Sequence, residues 1–310
     1  MNNVVELIIP TPVQALDTDT PNEILRFAAE AFVIGKVALA TLVEIRGGAA
    51  RALGAHMAVA EDGRFCGYVS GGCVEAAVAT EALLTMAEGC DRMVKFGDGS
   101  PFFDVVLPCG GGISVAIHLL RSATALEHVI ECLGIRKSAG LAYSPSDQTL
   151  SVIEAPERAS WSDGSFIRSY HPRTRVVISG RAIEVRAVVR LAEVSGFDII
   201  TAGTGRDGVD VVPLIDPFTA VVLLHHDVDA EMSLLRTALD SEAFYIGALG
   251  SSRTHRRRMH ELMHLGISKA DIERIKAPIG LFGPAKDAST LALSVLADIA
   301  SVRLACLSSL

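Results

Sequence analysis

The chain has 310 residues, enough for two domains of ordinary size; half are apolar and 5% aromatic. Such a composition suits close-packed Val/Ala/Leu layers of the α/β kind rather than a β-sandwich. Its 28 basic and 36 acidic residues leave a net charge of −8, which repels nucleic acid and anionic membranes, so neither is an expected partner.

No apolar run reads as long enough to cross a bilayer. The opening MNNVVELIIPTPV has no basic n-region, and a Glu and two prolines stand where a signal h-region would lie. The expectation is a cytoplasmic, reducing setting. The six cysteines (Cys66, Cys73, Cys90, Cys109, Cys132 and Cys306) then count as thiols rather than a disulfide framework. No pair has the Cys-x-x-Cys spacing of zinc or thioredoxin-like sites.

In chain order, residues 21 to 35 predict a helix that opens on Pro21 and repeats apolar residues at Ile24, Leu25, Ala28 and Phe32. A strand follows over Val37 to Ile45, then the small-residue loop RGGAARALGAHM and a strand from about Met57. Residues 64 to 69 predict another strand, running into Ser70-Gly71-Gly72-Cys73. An Ala-rich helix over 74 to 88 ends at Gly89. A short strand over 104 to 107 is broken by Pro108-Cys109-Gly110-Gly111-Gly112 and resumes over Ile113 to Leu119. Residues 124 to 134 suggest a helix and 139 to 170 two or three short strands.

The composition changes at His171-Pro172-Arg173-Thr174, which divides the chain into domains 1–170 and 171–310. Beyond it strands and helices alternate, the pattern of a parallel sheet covered on both faces. Strands are expected over 175–179, 197–201, 219–224 and 243–248. Helices are expected over 183–195, 230–240 and 253–265.

Four short segments suggest chemistry. In Ser70-Gly71-Gly72-Cys73-Val74-Glu75, two glycines allow a sharp turn and a close ligand approach. They deliver Cys73 to the first turn of a helix, where free amides and the dipole favour a thiolate and bind anions. Glu75 suits that dipole and is also a candidate proton acceptor. Cys109 has a similar setting beside Gly110, Gly111 and Gly112, whose amides can form an anion-binding nest; the alternative is a β-bulge. Cys66, Cys90, Cys132 and Cys306 lack paired glycines and read as small buried hydrophobes.

The third segment, Ser179-Gly180-Arg181-Ala182-Ile183-Glu184-Val185, sits where a Rossmann βα turn belongs, with a damaged fingerprint. Gly180 supplies the turn, but Ala182 and Val185 replace the later glycines and Glu184 puts negative charge beside any phosphate. Thr201-Ala202-Gly203-Thr204 offers no ribose carboxylate, so ordinary NAD binding is not expected. In the fourth, Gly250-Ser251-Ser252-Arg253, free amides, hydroxyls and Arg253 stand at the carboxyl edge of the sheet. At least two of Arg256, Arg257 and Arg258 belong to a solvated helix face. His225-His226 on a strand end point to opposite faces, which argues against a shared metal ion.

Taken together, RGGAARALGAHMAVAEDGRFCGYVSGGCVEAAV, LPCGGGISV, FTAVVLLHHD, AFYIGALGSSRTHRRRM and APIGLFGPAKDASTLALSVLADI resemble the XdhC/CoxI family of maturation factors for molybdenum hydroxylases. The likeness spans about residues 21 to 303. It implies an α/β chain with an N-terminal XdhC/CoxI-type domain and a C-terminal Rossmann-like parallel-sheet domain. It also implies a maturation chaperone rather than an enzyme, with molybdenum cofactor (molybdopterin or its cytosine dinucleotide form) as cargo. The implied partners are a cysteine desulfurase that sulfurates the cofactor and an apo-molybdoenzyme of the xanthine dehydrogenase type; a homodimer is expected. Cys73 and Cys109 become candidate molybdenum or sulfur ligands. The amides of Ser70, Gly71, Gly72, Gly110, Gly111 and Gly112, with Arg51, become candidates for holding pterin or phosphate; Gly180, Ser251 and Arg253 are the candidates in the second half. The family's Gly-x-Gly-His segment appears here as Gly180-Arg181-Ala182-Ile183. Two rival readings are a nicotinamide-dependent oxidoreductase and a cysteine-dependent transferase or hydrolase pairing Cys73 with a histidine such as His56.

Overall fold

The structure, a computed structural model, describes residues 9–98, 100, 110–202 and 211–309. Cys109, the strand expected over 104–107 and Gly203-Thr204 lie outside the described residues. The chain divides into two units, Met1–Pro172 and Arg173–Leu310.

The first unit runs β1 (Val13–Leu16), α1 (Pro21–Ile34), β2 (Val37–Arg46), β3 (His56–Ala60), β4 (Arg64–Gly67), α2 (Glu75–Glu88), β5 (Arg92–Gly97), β6 (Gly112–Leu119) and α3 (Thr124–Gly134). Four short strands follow: β7 (Ala139–Ser144), β8 (Thr149–Ile153), β9 (Ser160–Ser162) and β10 (Ser165–Tyr170). Six strands make a mixed sheet in the order β1-β4-β3-β2-β6-β5, and the last four a separate sheet, β8-β7-β10-β9. The apolar run of β2 has no polar face because both faces are covered. Ala38, Ala40 and Leu42 pack with α2, while Val37 and Leu39 pack with α1 and α3.

Register gathers the loops of this sheet at one end. Arg46, where β2 ends, pairs with Gly112, where β6 begins; Gly97 ends β5 opposite the same glycine; Met57 near the start of β3 pairs with Gly67 at the end of β4. The segments after β2, β4 and β5 therefore leave from a common edge. Gly67 is fixed there by its surroundings: at φ +92°, a side chain would collide with the His56 carbonyl and with Ile24.

The second unit is β11 (Arg175–Gly180), α4 (Ala182–Val194), β12 (Asp198–Thr201), β13 (Thr219–Leu224), α5 (Val228–Leu239), β14 (Tyr245–Ala248), α6 (Ser252–His264), α7 (Lys269–Glu273), β15 (Ile275–Lys276) and α8 (Ala288–Ser309). All five strands are parallel, in the order β12-β11-β13-β14-β15. Helices α4 and α8 cover one face and α5, α6 and α7 the other; Val176 and Ile178 of β11 face the first pair and Val177 the second layer. This is the doubly covered Rossmann arrangement the alternation predicts.

The stretch 288–306 of α8 is, by length and composition, apolar enough to cross a membrane, which corrects the expectation that no such run exists. Its role here is packing: Ala292, Val295, Leu296 and Ile299 are buried on the sheet, and its buried Asp298 accepts from the Tyr245 hydroxyl at 2.6 Å and pairs with Lys276. The arginine run of α6 splits. Arg256 and Arg257 face solvent, whereas Arg258 is fully buried, ion-paired with Glu231 of α5 and donating from Nη2 to the Leu249 carbonyl at 2.9 Å.

Candidate functional site

At the common loop edge of the first unit, the residues after β4 form a tight strap. Cys73 is exposed and lies just before Val74, the residue preceding α2, not in the first turn of that helix. Gly71 and Gly72 both take φ +111°, which glycine tolerates readily. Glu75, the first residue of α2 and 4% exposed, folds its carboxylate back under the strap. Oε1 accepts from the amides of Val69 (3.0 Å), Ser70 (2.8 Å) and Gly71 (3.0 Å); Oε2 accepts from Gly72 (2.8 Å) and Val74 (3.1 Å). The Ser70 hydroxyl donates to the same group at 2.9 Å. Burial raises this carboxyl's pKa, but the amides of Ser70 and Gly71 and the Ser70 hydroxyl outweigh it and hold it below the ordinary glutamate value.

These contacts correct the expected use of the strap. The amides of Ser70, Gly71 and Gly72 form an anion nest, and Glu75 fills it. They shape the loop that presents Cys73 and are not free for a ligand's phosphate. In the Gly110–Gly112 segment, Gly111 and Gly112 are buried, Gly112 belongs to the ladder opposite Arg46 and Gly97, and Gly110 is the exposed one of the three.

Both glycine segments lean on the loop after β2. A Cβ on Gly71 would meet Ala50 at 3.4 Å; one on Gly111 would meet the Arg46 and Gly48 carbonyls at 2.6 Å. Arg51 in that loop pairs with Asp19 at 2.6 Å, and its guanidinium lies 5.2 Å from the centroid of Tyr68. The Tyr68 hydroxyl donates to Asp17 at 2.5 Å.

His56 is 5% exposed. Its Nδ1 stands 3.0 Å from the Thr41 hydroxyl and its Nε2 is bonded to the Tyr170 hydroxyl. Burial, and secondly the nearby Arg168, push its pKa well below the usual histidine range, so the ring is neutral. With both nitrogens engaged, His56 is not poised to activate Cys73. Of the other cysteines expected to be buried, Cys66 is, and burial pushes its thiol up to about 12; Cys90 is exposed, while Cys132 and Cys306 are half-buried.

In the second unit the strand ends gather Gly180, His225 and Ser251 at the carboxyl edge. A side chain on Gly180 would strike Leu224 atoms at 2.6 Å, so this glycine is a packing requirement between β11 and β13. Ser179 and His225, both buried, share a 2.9 Å hydrogen bond. His226 is exposed instead, its Nε2 3.9 Å from Glu184 Oε1, while Glu184 Oε2 is buried with no hydrogen-bond partner among the described residues. Ser251 serves as the N-cap of α6, accepting from the Thr254 amide at 3.3 Å. Arg253 is exposed.

Two family comparisons and one relative decide the lineage. Residues 35–97 match the XdhC and CoxI family and residues 176–299 the XdhC Rossmann domain. The chain is 50% identical over 299 residues to the molybdenum cofactor insertion chaperone PaoD of Escherichia coli (strain K12), covering 94% of this chain and 92% of that protein. The chain belongs to the XdhC and CoxI family. It is 22% identical to a probable xanthine dehydrogenase subunit of Bacillus subtilis (strain 168), over 86% of this chain and 92% of that one. The crystal structure of a xanthine dehydrogenase from Bacillus halodurans superimposes with a TM-score of 0.73 at 23% identity, over 92% of this chain and 96% of that chain. That likeness shows a shared fold. The XdhC and CoxI match runs from just before β2 through β5 and so includes the Cys73 strap and Arg51.

Sequence reasoning missed Arg168 and Tyr170, which join His56 from more than 100 residues away and have no spacing signal. It also passed over His260-Glu261-Leu262-Met263-His264 on α6, an H-E-x-x-H pattern that places two histidines on one helix face. Their Nε2 atoms lie 3.2 Å apart, but Glu261 is turned to Arg257 at 2.7 Å. Among the described residues no group of three His, Cys, Asp or Glu is placed to hold a metal ion.

Proposed function

We propose that this XdhC and CoxI family member binds molybdenum cofactor as cargo and delivers it to an apo-molybdoenzyme of the xanthine dehydrogenase type. The observation that supports this most is the near full-length, 50% identity to a molybdenum cofactor insertion chaperone. The site agrees with the chemistry. Cys73 is an exposed thiol on a preformed strap, and sulfur ligands suit a soft metal cargo. Cys109 enters the reading as the second candidate ligand. Sulfuration of the bound cargo by a cysteine desulfurase, and a homodimeric carrier, belong to the same proposal. In this reading the cargo is held without turnover, and the thiol is a ligand rather than a nucleophile.

The test is to mix purified protein with molybdenum cofactor, remove unbound ligand and quantify retained molybdenum and pterin. Wild-type protein should retain both near stoichiometrically, Cys73→Ala should lose about tenfold or more of the molybdenum, and Cys73→Ala/Cys109→Ala should retain background only. Cys90→Ala, removing another exposed thiol, should behave as wild type. Equal retention by wild type and the double variant would refute the assignment of these cysteines.

The Rossmann unit is not read as a nicotinamide site. A buried carboxylate oxygen of Glu184, with no hydrogen-bond partner among the described residues, belongs to the first turn of α4, the place a pyrophosphate takes in such folds. Titration with NADH, followed by nicotinamide fluorescence, should show no saturable binding at submillimolar concentrations. Saturable binding would restore the oxidoreductase reading.

A further inference from the structure

The first unit contains a cavity of about 180 Å³, smaller than a whole-ligand pocket and sized for one group of a larger molecule. Arg51, His56, Tyr68, Asp19 and Arg168 contribute to its wall. It adjoins the strap in sequence: Tyr68 in its wall directly precedes Val69.

The charges in this wall do not balance: of its two arginines only Arg51 has a carboxylate partner, Asp19. Arg168, on β10, is different. Its Nη1 donates to the Gly54 carbonyl and its guanidinium stacks 4.7 Å from the centroid of Tyr170. Among the described residues no carboxylate lies within ion-pairing distance of it, and no protein acceptor meets its other donors. Its neighbour His56 is held by Thr41 and Tyr170 and brings no negative charge. A partly buried guanidinium without a counter-charge costs free energy, which an anion in the cavity recovers. Burial lowers the Arg168 pKa, and Arg168, after burial itself, helps keep His56 neutral.

We infer that this cavity is an oxyanion subsite in which the free donors of Arg168 receive a phosphoryl group, with Arg51 at its wall as the second guanidinium. A planar fork of N–H donors suits phosphate oxygens. The inference rests on the cargo reading only in naming what brings the phosphate, the phosphorylated end of the cofactor. The chemistry is shared with free phosphate.

The experiment titrates the full chain, without molybdenum, with inorganic phosphate and with a simple phosphate monoester, by calorimetry and by thermal shift. Wild type should bind and be stabilised as phosphate rises. Arg168→Met should weaken phosphate binding about tenfold or more, while its melting temperature in phosphate-free buffer stays level or rises, because an unneutralised charge has been removed. Arg168→Lys should recover part of the affinity. Tighter binding of the monoester than of inorganic phosphate assigns the site to a phosphorylated ligand; equal binding assigns it to free phosphate. Two results overturn the subsite: no phosphate binding by wild type, or equal binding by wild type and Arg168→Met. A fall in the melting temperature of Arg168→Met with phosphate affinity unchanged would reduce Arg168 to a structural role. None of these readouts depends on molybdenum retention, so the subsite and the chaperone reading stand or fall separately.

Discussion

Glu75→Gln should lower the stability of the first unit by about 3–5 kcal/mol, seen as a lower midpoint in urea unfolding with little change in slope. Five backbone amides and one hydroxyl converge on the two oxygens of this carboxylate. Glutamine keeps one acceptor oxygen and turns an NH2 group into a ring of N–H donors, leaving at least two of them unpaired in a buried position. The same contacts set a pH dependence. The folded carboxyl titrates below its unfolded value of about 4.3, so its contribution is complete above that value and is lost as pH falls through the depressed folded pKa. The variant should lack that part of the acid sensitivity. Wild-type stability in Glu75→Gln would show that the strap is held by something else.

Glu231→Gln should be comparably damaging in the second unit, again about 3–5 kcal/mol, because it strips the ionic partner from Arg258, a guanidinium with 0% exposure. Glu231→Leu/Arg258→Met should unfold within about 1 kcal/mol of wild type or later. The asymmetry follows from incomplete satisfaction of the pair: Glu231 Oε2 and Arg258 Nη1 have no hydrogen-bond partner among the described residues. Burial raises the Glu231 carboxyl's pKa against the opposing pull of Arg258, a desolvation cost that replacing both side chains by apolar ones removes. A double variant as unstable as the single one would mean that the pair stabilises beyond what apolar packing replaces. Thermal unfolding of the full chain with both variants checks this.

Where the two periodicities are strong, the architecture is readable from the residues. The run VALATLVEI announces a strand, and the alternation after residue 173 announces a parallel sheet. Helix α8 escapes notice because apolar residues surround it, leaving no stripe to count, and β9 and β15 are too short to show a period. The site was legible in part. Two glycines and a cysteine mark a tight, exposed turn, which Cys73 occupies. What fills the anion nest was not legible, since the carboxylate comes from Glu75, whose backward fold depends on loop geometry rather than spacing. His56, Arg168 and Tyr170 likewise look ordinary until β3 and β10 bring them together. The arginine triplet shows the limit of local reading: Arg256 and Arg257 are solvated, yet Arg258 is buried because α5 offers Glu231 at the right depth.

The strap also has a signature in isotope exchange. Residues 69 to 74 form no helix or strand, and by location their amides would be expected to exchange with deuterium as fast as those of any surface loop. Because the amides of Val69, Ser70, Gly71, Gly72 and Val74 all end on one buried carboxylate, their exchange requires that carboxylate to leave as a unit. They should therefore open together and slowly, with or without cargo. Under the proposed carrier reading, a thiol held this way keeps one position before loading and after release, and little ordering entropy is lost on either step.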